Sequence, residues 1–132
     1  MNDKNTKPAE PKGKLVIRTI ALPADTNPNG DIFGGWLVSQ MDMGGGIAAK
    51  EVSRSRVTTI AIERMRFWHP VRVGDTVCCY ADLKKIGNTS ISFAISAWVL
   101  PQGTGERVCV TEAIFTFVAI DENGRPIPVK RK

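Results

Sequence analysis

The sequence lacks any apolar run near the roughly 20 residues that a helix needs to cross a membrane. Its opening stretch, MNDKNTKPAEPKGK, is polar and has no apolar core. We therefore expect neither a membrane anchor nor a secretory signal peptide, and we predict a cytoplasmic protein. Residues 1–13 have the composition of a disordered lead.

Cysteine is scarce, with only Cys78, Cys79 and Cys109 in the chain. An odd count that includes a vicinal pair is a poor disulfide framework, so we expect reduced thiols. Neighbouring residues of a strand point to opposite faces of a sheet, so the vicinal pair should not share a metal. No Cys/His cluster has the spacing of a zinc site, and we predict no metal centre.

Several common catalytic motifs are absent from the sequence. It contains no Gly-x-Ser-x-Gly elbow, no Walker loop and no Gly-x-Gly-x-x-Gly fingerprint. The only histidine, His69, precedes Pro70 at the end of a predicted strand. It is a poor triad partner for Ser39, and we interpret it as structural. A hydrolase with this sequence would have to use a carboxylate.

Basic residues are few outside the two ends of the chain. The formal net charge is +5 at pH 7, of which residues 1–14 carry +2 and residues 125–132 carry +4. The body is therefore close to neutral, at −1. We predict solvated basic ends and no nucleic-acid partner. The expected organisation is a disordered N-terminal segment over residues 1–13, one domain over residues 14–124 and a basic C-terminal tail over residues 125–132.

What the chain does contain is one helical pattern among several strand patterns. Lys14–Leu22 is rich in β-branched residues and reads as a strand. From Gly34 to about Ser53, apolar and small residues recur at spacings of three and four, which predicts a helix; the predicted buried face is Leu37, Met41, Gly44, Gly45 and Ala48. Four alternating strands follow. This order predicts an α+β fold in which an antiparallel sheet packs against one helix. Such a sheet has open edge strands, which favour dimerisation.

The predicted helix carries a carboxylate and a run of glycines, in the order Asp42, Gly44, Gly45 and Gly46. Each glycine inside a helix costs about 1 kcal/mol relative to alanine. The helix could end at Gly44, pack closely against the sheet, or leave room for a ligand or a second backbone beside Asp42. Asp42 itself is either a solvated acid or a half-buried base.

The segment before the helix contains possible hydrogen-bond donors. Gly34 and Gly35 would leave free backbone N–H groups at a helix N-terminus, which is a natural oxyanion site. The side-chain amide of Asn27 can also donate. Both features have a plainer interpretation as a turn, because NPNG is a strong turn sequence.

Three segments together resemble a known family. They are ADTNPNGDIFGGWLVSQMDMGGGIAAKE, FWHPVRVGDTV and GNTSISFAISAWV. They are similar to the hotdog-fold acyl-CoA thioesterases, in particular the bacterial YciA type, and the resemblance extends from about Leu15 to Asp121. It implies a hotdog fold, in which a long antiparallel sheet wraps around one central helix. The implied reaction is hydrolysis of acyl-CoA to a free acid and CoA, with no cofactor beyond the CoA of the substrate and product.

The resemblance also implies roles for particular residues. Asp42 matches the family's catalytic acid, and Asn27 matches an asparagine supplied by the other chain of a dimer. Gly34 and Gly35 match the helix-start glycines whose N–H groups polarise the thioester carbonyl. The expected assembly is a homodimer or a trimer of dimers. The implied CoA contacts are Gly87, Thr89, Ser90, Arg64 and Lys84; other cations that qualify for the phosphates are Arg54, Arg56, Arg66, Arg72 and Lys85.

Two questions stay open from the sequence. Asp42 could act as general base on water or attack the carbonyl directly to form an anhydride. The chain could instead be a non-catalytic acyl-CoA binding module or a hotdog acyl thioester dehydratase. A dehydratase usually pairs a histidine with an acid in its site.

Overall fold

A computed structural model describes residues 8–103 and 105–129 of the chain. In this part of the chain, five antiparallel strands form one sheet in the order β1-β3-β4-β5-β2, and one long helix lies against it. The elements are β1 (Lys14–Ile20), a 3₁₀ turn (Pro23–Asp25), α1 (Gly34–Ser53), β2 (Arg56–Phe67), β3 (Thr76–Ile86), β4 (Ser90–Leu100) and β5 (Val108–Ile120). The predicted antiparallel α+β architecture is therefore confirmed.

Helix α1 contacts all five strands through the face that its periodicity predicts. Every residue of that predicted face is buried. The apolar alternation of β4 and β5 supplies the opposite side of the core with Ile91, Phe93, Ile95, Phe115 and Phe117. The residues that recur with the helical period of 3.6 and those that recur with the strand period of 2 thus pack together in a single apolar core.

The first two glycines of the helical run are packing residues. A β-carbon on Gly44 would lie 2.6 Å from Cγ2 of Val16, and one on Gly45 would lie 2.9 Å from Cζ of Phe117. The interpretation that the helix ends at Gly44 is wrong, because α1 continues to Ser53. Its C-cap is Arg54, which adopts the left-handed conformation at φ 57°. Close packing accounts for two glycines but not for Gly46, whose β-carbon would meet nothing within 4 Å.

The cysteines lie on both faces of the sheet, as the alternation predicts. Cys79 is in the main core, whereas Cys78 and Cys109 belong to a smaller apolar cluster on the outer face together with Tyr80 and Trp98. All three are free thiols. Burial raises the pKa of Cys79 to about 12, so this thiol is protonated and unreactive at neutral pH.

Strand β2 forms one edge of the sheet. It exposes Ile60 and Ile62, whose relative exposures are 58% and 41%. An apolar edge strand presents unpaired backbone groups to other chains, which favours pairing with a second copy. No helix in the described ranges is long and apolar enough to cross a membrane.

Ordered contacts continue past residue 124, where we predicted the domain to end. The N–H of Ile127 donates to the carbonyl of Ala119 at 2.9 Å, and the N–H of Val129 donates to that of Asn88 at 2.8 Å. Val129 is buried. Residues 1–7 of the predicted lead and residues 130–132 of the predicted basic tail lie outside the described residues.

Candidate active site

A groove between α1 and β2 contains the candidate catalytic acid. We call it the Asp42 groove; its volume is about 490 Å³. Asp42 and Thr59 line one part, and Lys50 and Arg56 also line it. The rest of its lining is largely apolar, formed by Met43, Ile47, Val57 and Phe117. The groove therefore combines a carboxylate, an apolar passage and two cations.

The carboxylate of Asp42 is held by one hydrogen bond. The hydroxyl of Thr59 donates to Oδ1 at 2.6 Å, and no other donor to this carboxylate is found in the described part of the chain. Asp42 is half-buried. One oxygen is thus fixed while the other is available to the groove, which suits a group that accepts a proton or attacks a carbonyl.

A second groove, of about 350 Å³, contains Asn27 and Gly34, two of the three other predicted catalytic residues. We call it the Asn27 groove; Asn27, Gly34, Phe67 and His69 line it. The side-chain oxygen of Asn27 accepts the N–H groups of Asn29 and Asp31 at 2.9 and 3.1 Å, which confirms that NPNG forms a turn. This arrangement leaves the side-chain NH₂ of Asn27 as the group that can donate to a ligand.

The start of α1 supplies unpaired backbone donors. The first N–H groups of a helix have no intrahelical acceptor, and no side chain caps this end. Within the described residues the N–H groups of Gly34 and Gly35 have no hydrogen-bond acceptor. A β-carbon on Gly35 would meet nothing within 4 Å, whereas one on Gly34 would lie 3.2 Å from Cζ of Phe67. The helix start is thus open to a ligand oxygen.

The two grooves do not meet within one chain. Asp42 and Gly34 are eight positions apart on α1, which corresponds to about 12 Å along the helix axis. Neither Asn27 nor Gly34 lines the Asp42 groove. The structure therefore does not bring the predicted acid and the predicted oxyanion donors of a single chain together.

The predicted CoA-contacting turn lies between β3 and β4. The N–H of Gly87 donates to the carbonyl of Ser90 at 2.8 Å, and the carbonyl of Thr89 accepts the N–H of Ala119 at 2.9 Å. Ser90 pairs with Val118 on β5, and Arg56 pairs with Ile120 two residues farther along the same strand. The turn is therefore at the same end of the sheet as Arg56.

The two predicted CoA cations lie elsewhere. Lys84 pairs with Asp82 at 3.0 Å. Arg64 adopts a left-handed φ of 59° within a bulge of β2 and lines a third groove, of about 170 Å³, together with Glu112. Burial raises the pKa of Glu112, an effect that Lys84 and Lys12 partly offset. Neither Arg64 nor Lys84 lines the Asp42 groove.

Sequence reasoning did not single out Lys50 and Thr59, which line the Asp42 groove. Asp42, Gly46 and Lys50 are spaced by four, so the helical period alone would have placed them on one face. Thr59 had no local signal, because its contact with Asp42 depends on how β2 packs on α1.

His69 was interpreted as structural, and its Nδ1–H does donate to the carbonyl of Pro70 at 2.6 Å. His69 also lines the Asn27 groove, which the sequence did not indicate.

Comparisons with known proteins agree on one family. The thioesterase superfamily matches residues 29–106. The acyl-CoA thioester hydrolase YciA of Salmonella typhimurium is 56% identical over 122 residues, which cover 90% of this chain and 92% of that protein.

Solved structures show the same similarity. One is an aspartate-to-alanine mutant of a hexameric broad-specificity acyl-coenzyme A thioesterase, with a TM-score of 0.88 and 53% identity over 92% of this chain and 89% of that one. Another is a hexameric hotdog-fold thioesterase of Campylobacter jejuni, with a TM-score of 0.84 and 40% identity over 89% and 91% of the two chains.

Proposed function

The chain belongs to the thioesterase superfamily and has the hotdog fold, and we propose that this acyl-CoA thioester hydrolase uses Asp42 as its catalytic carboxylate. The predicted resemblance to the YciA type is confirmed by relatives of that name. The observation that carries the role of Asp42 is its position in an open groove, with Thr59 holding one oxygen and leaving the other free. The reaction is hydrolysis of acyl-CoA to a carboxylic acid and CoA, with no further cofactor.

The chemistry requires one base or nucleophile and one oxyanion site. As a base, Asp42 takes a proton from water while the water oxygen attacks the thioester carbon. The carbon–sulfur bond then breaks, and the CoA thiolate leaves and is protonated. As a nucleophile, Asp42 attacks the thioester carbon, the carbon–sulfur bond breaks and the CoA thiolate leaves to be protonated; water then hydrolyses the resulting anhydride to the free acid and the Asp42 carboxylate. In both routes the negative charge on the carbonyl oxygen needs donors, and the helix-start N–H groups of Gly34 and Gly35 with the Asn27 amide supply them.

We place these donors on a second chain. The separation of about 12 Å along α1 keeps Asp42 away from its own Gly34. The exposed edge strand β2 lies beside the Asp42 groove, so pairing of two such edges would bring a second chain close to it. The relatives named above include hexameric thioesterases. The proposed assembly is a homodimer with shared sites, repeated three times in a hexamer.

The cations that line the Asp42 groove favour one orientation of CoA. Lys50 and Arg56 line the Asp42 groove, and the turn that holds Gly87, Thr89 and Ser90 is at the same end of the sheet as Arg56. We propose that the CoA phosphates bind at this end. Lys84 is already paired with Asp82, and Arg64 lines another groove, so both are weaker candidates.

The direct test is thiol release from a panel of short, medium and long acyl-CoAs. We expect release of one thiol for each acid formed, measured with a thiol-reactive dye and by mass spectrometry of the acid. Binding of CoA without any thiol release across the panel would contradict the proposal and favour a non-catalytic acyl-CoA binding module.

One observation favours a second candidate, the acyl thioester dehydratase. His69 lines the Asn27 groove, and its Nδ1–H bond to Pro70 leaves Nε2 able to accept a proton. In a shared site, this histidine would approach the Asp42 of the other chain. Incubation with an enoyl-CoA separates the two candidates, since a dehydratase hydrates the double bond and releases no thiol.

Thr59 should act as a positioning residue for the catalytic carboxylate. We expect Thr59→Val to lower kcat by about 10-fold, because a hydrogen bond to a charged group is worth roughly 1.5–3 kcal/mol. Thr59→Ser keeps the hydroxyl and is the matched control, so it should stay close to the parent enzyme. The pH dependence of kcat should shift in the valine variant only. Equal kcat values and pH profiles for the two variants would contradict this role.

A further inference from the structure

Gly46 is the one member of the helical glycine run that packing does not explain. Gly44 and Gly45 face side chains of the sheet that leave no room for a β-carbon, whereas a β-carbon on Gly46 would meet nothing within 4 Å. Alanine at this position would make a more stable helix. The absence of a side chain at Gly46 therefore calls for a reason outside the packing of the chain itself.

The position of Gly46 in the Asp42 groove supplies such a reason. Gly46 lies one helical turn after Asp42 and one turn before Lys50, and all three line the groove. The distance from Asp42 to Lys50 along the axis is about 12 Å. A ligand whose reactive carbon is at Asp42 and whose anionic group is at Lys50 has to pass over Gly46.

The chemistry of the groove indicates which part of acyl-CoA crosses this point. The pantetheine arm of CoA is a neutral chain that links the thioester sulfur to a diphosphate. The apolar side chains of Met43 and Ile47 line the groove together with Gly46, and the cation Lys50 follows one helical turn later. An acyl chain in this direction would bring an apolar end against the charges of Lys50 and Arg56, and it would remove water from them without supplying an anion.

We infer that Gly46 is a positioning residue for CoA, which keeps the groove free of side-chain atoms so that the pantetheine arm can pass from Asp42 to the cations. This inference rests on the proposed thioesterase function. It assigns the acyl chain to the opposite direction, away from Lys50. A side chain at Gly46 should therefore affect every acyl-CoA to a similar degree, whatever the length of its acyl group.

The test compares Gly46→Ala and Gly46→Leu with the parent protein. Both substitutes are better helix formers than glycine, so neither should lower the melting temperature. We expect Gly46→Leu to lower kcat/KM by about 10²-fold for short, medium and long acyl-CoAs alike, because it displaces the arm that positions the thioester. Gly46→Ala should have a smaller effect. The corresponding N-acetylcysteamine thioesters, which lack the diphosphate and most of the arm, should lose much less.

Two further measurements keep the inference separable from the proposed function. The dissociation constant of CoA, measured by calorimetry, should rise in Gly46→Leu, and this readout does not depend on hydrolysis. Gly44→Ala is the control for a packing glycine, and it should lower the melting temperature, since its β-carbon would lie 2.6 Å from Val16. A parent protein that binds CoA but releases no thiol would overturn the proposed function alone.

Three results would overturn the inference itself. A loss of activity in Gly46→Leu that grows with acyl length would show that the groove holds the acyl chain. A smaller assembly in light scattering of either variant would show that Gly46 serves a contact between chains. An unchanged dissociation constant of CoA in Gly46→Leu would show that the arm does not pass this residue.

Discussion

Asp42→Asn is expected to lower the turnover number by about 10²–10⁴-fold, the usual contribution of a general base. The amide has nearly the same shape as the carboxylate, and its oxygen can still accept the hydrogen bond of Thr59. It can neither take a proton from water nor attack a carbonyl carbon. The fold and the assembly should therefore survive while the chemical step fails.

The controls for Asp42→Asn separate chemistry from structure. The melting temperature and the dissociation constant of CoA should stay close to those of the parent, because the proposed phosphate contacts lie at the Arg56 end of the sheet. Asp82→Asn changes an acid that pairs with Lys84 and does not line the Asp42 groove, and it should retain turnover. Near-normal thiol release by Asp42→Asn would contradict the proposal that Asp42 is the catalytic carboxylate.

Gly34→Pro is expected to lower the turnover number by about 10²–10³-fold, as does the loss of one oxyanion donor in other enzymes. Proline removes the backbone N–H but suits the first position of a helix. The preceding residue, Phe33, has φ −58° and ψ 136°, a conformation that a following proline favours. Helix α1 should therefore form normally.

Gly34→Ala is the matched control for this loss. Its β-carbon meets the same flexible ring of Phe67, but its N–H is retained. We expect alanine to reduce turnover far less than proline, in a thiol-release assay at saturating acyl-CoA. Equal losses for the two variants would assign the effect to the side chain and contradict an oxyanion role for this N–H.

Mixing the two inactive proteins tests whether the site is shared. If each site takes Asp42 from one chain and Gly34 from the other, a mixed dimer has one intact and one doubly defective site. Random exchange of subunits should then restore about a quarter of the parent activity. Mass spectrometry has to confirm the exchange. Verified mixed dimers that recover nothing would place both residues in a site formed by one chain.

Sequence patterns were sufficient to predict the elements and to point to Asp42 as the candidate acid. The spacing of small and apolar residues defined α1 from Gly34 to Ser53, and alternation defined the core face of β4 and β5. Both patterns are local, because residues i and i+4 of a helix, or i and i+2 of a strand, share a face wherever the chain folds. The family motif around Asp42 was also contiguous, so it could be read without coordinates.

The surroundings of Asp42 depend on contacts between residues that are far apart in the chain. Thr59 is 17 residues from Asp42, and it faces the groove because β2 pairs with β5 in a register that two bulges interrupt. Each bulge changes which side chains point to which face, and one of them contains Arg64, whose left-handed conformation no local pattern indicated. Charge alone could not rank Arg56 above Arg64 and Lys84, and it did not point to Lys50, since cations are alike in sequence and differ only in their place in the fold. The open space at Gly46 is likewise a property of packing, because it exists only where α1 and β2 leave a gap between them.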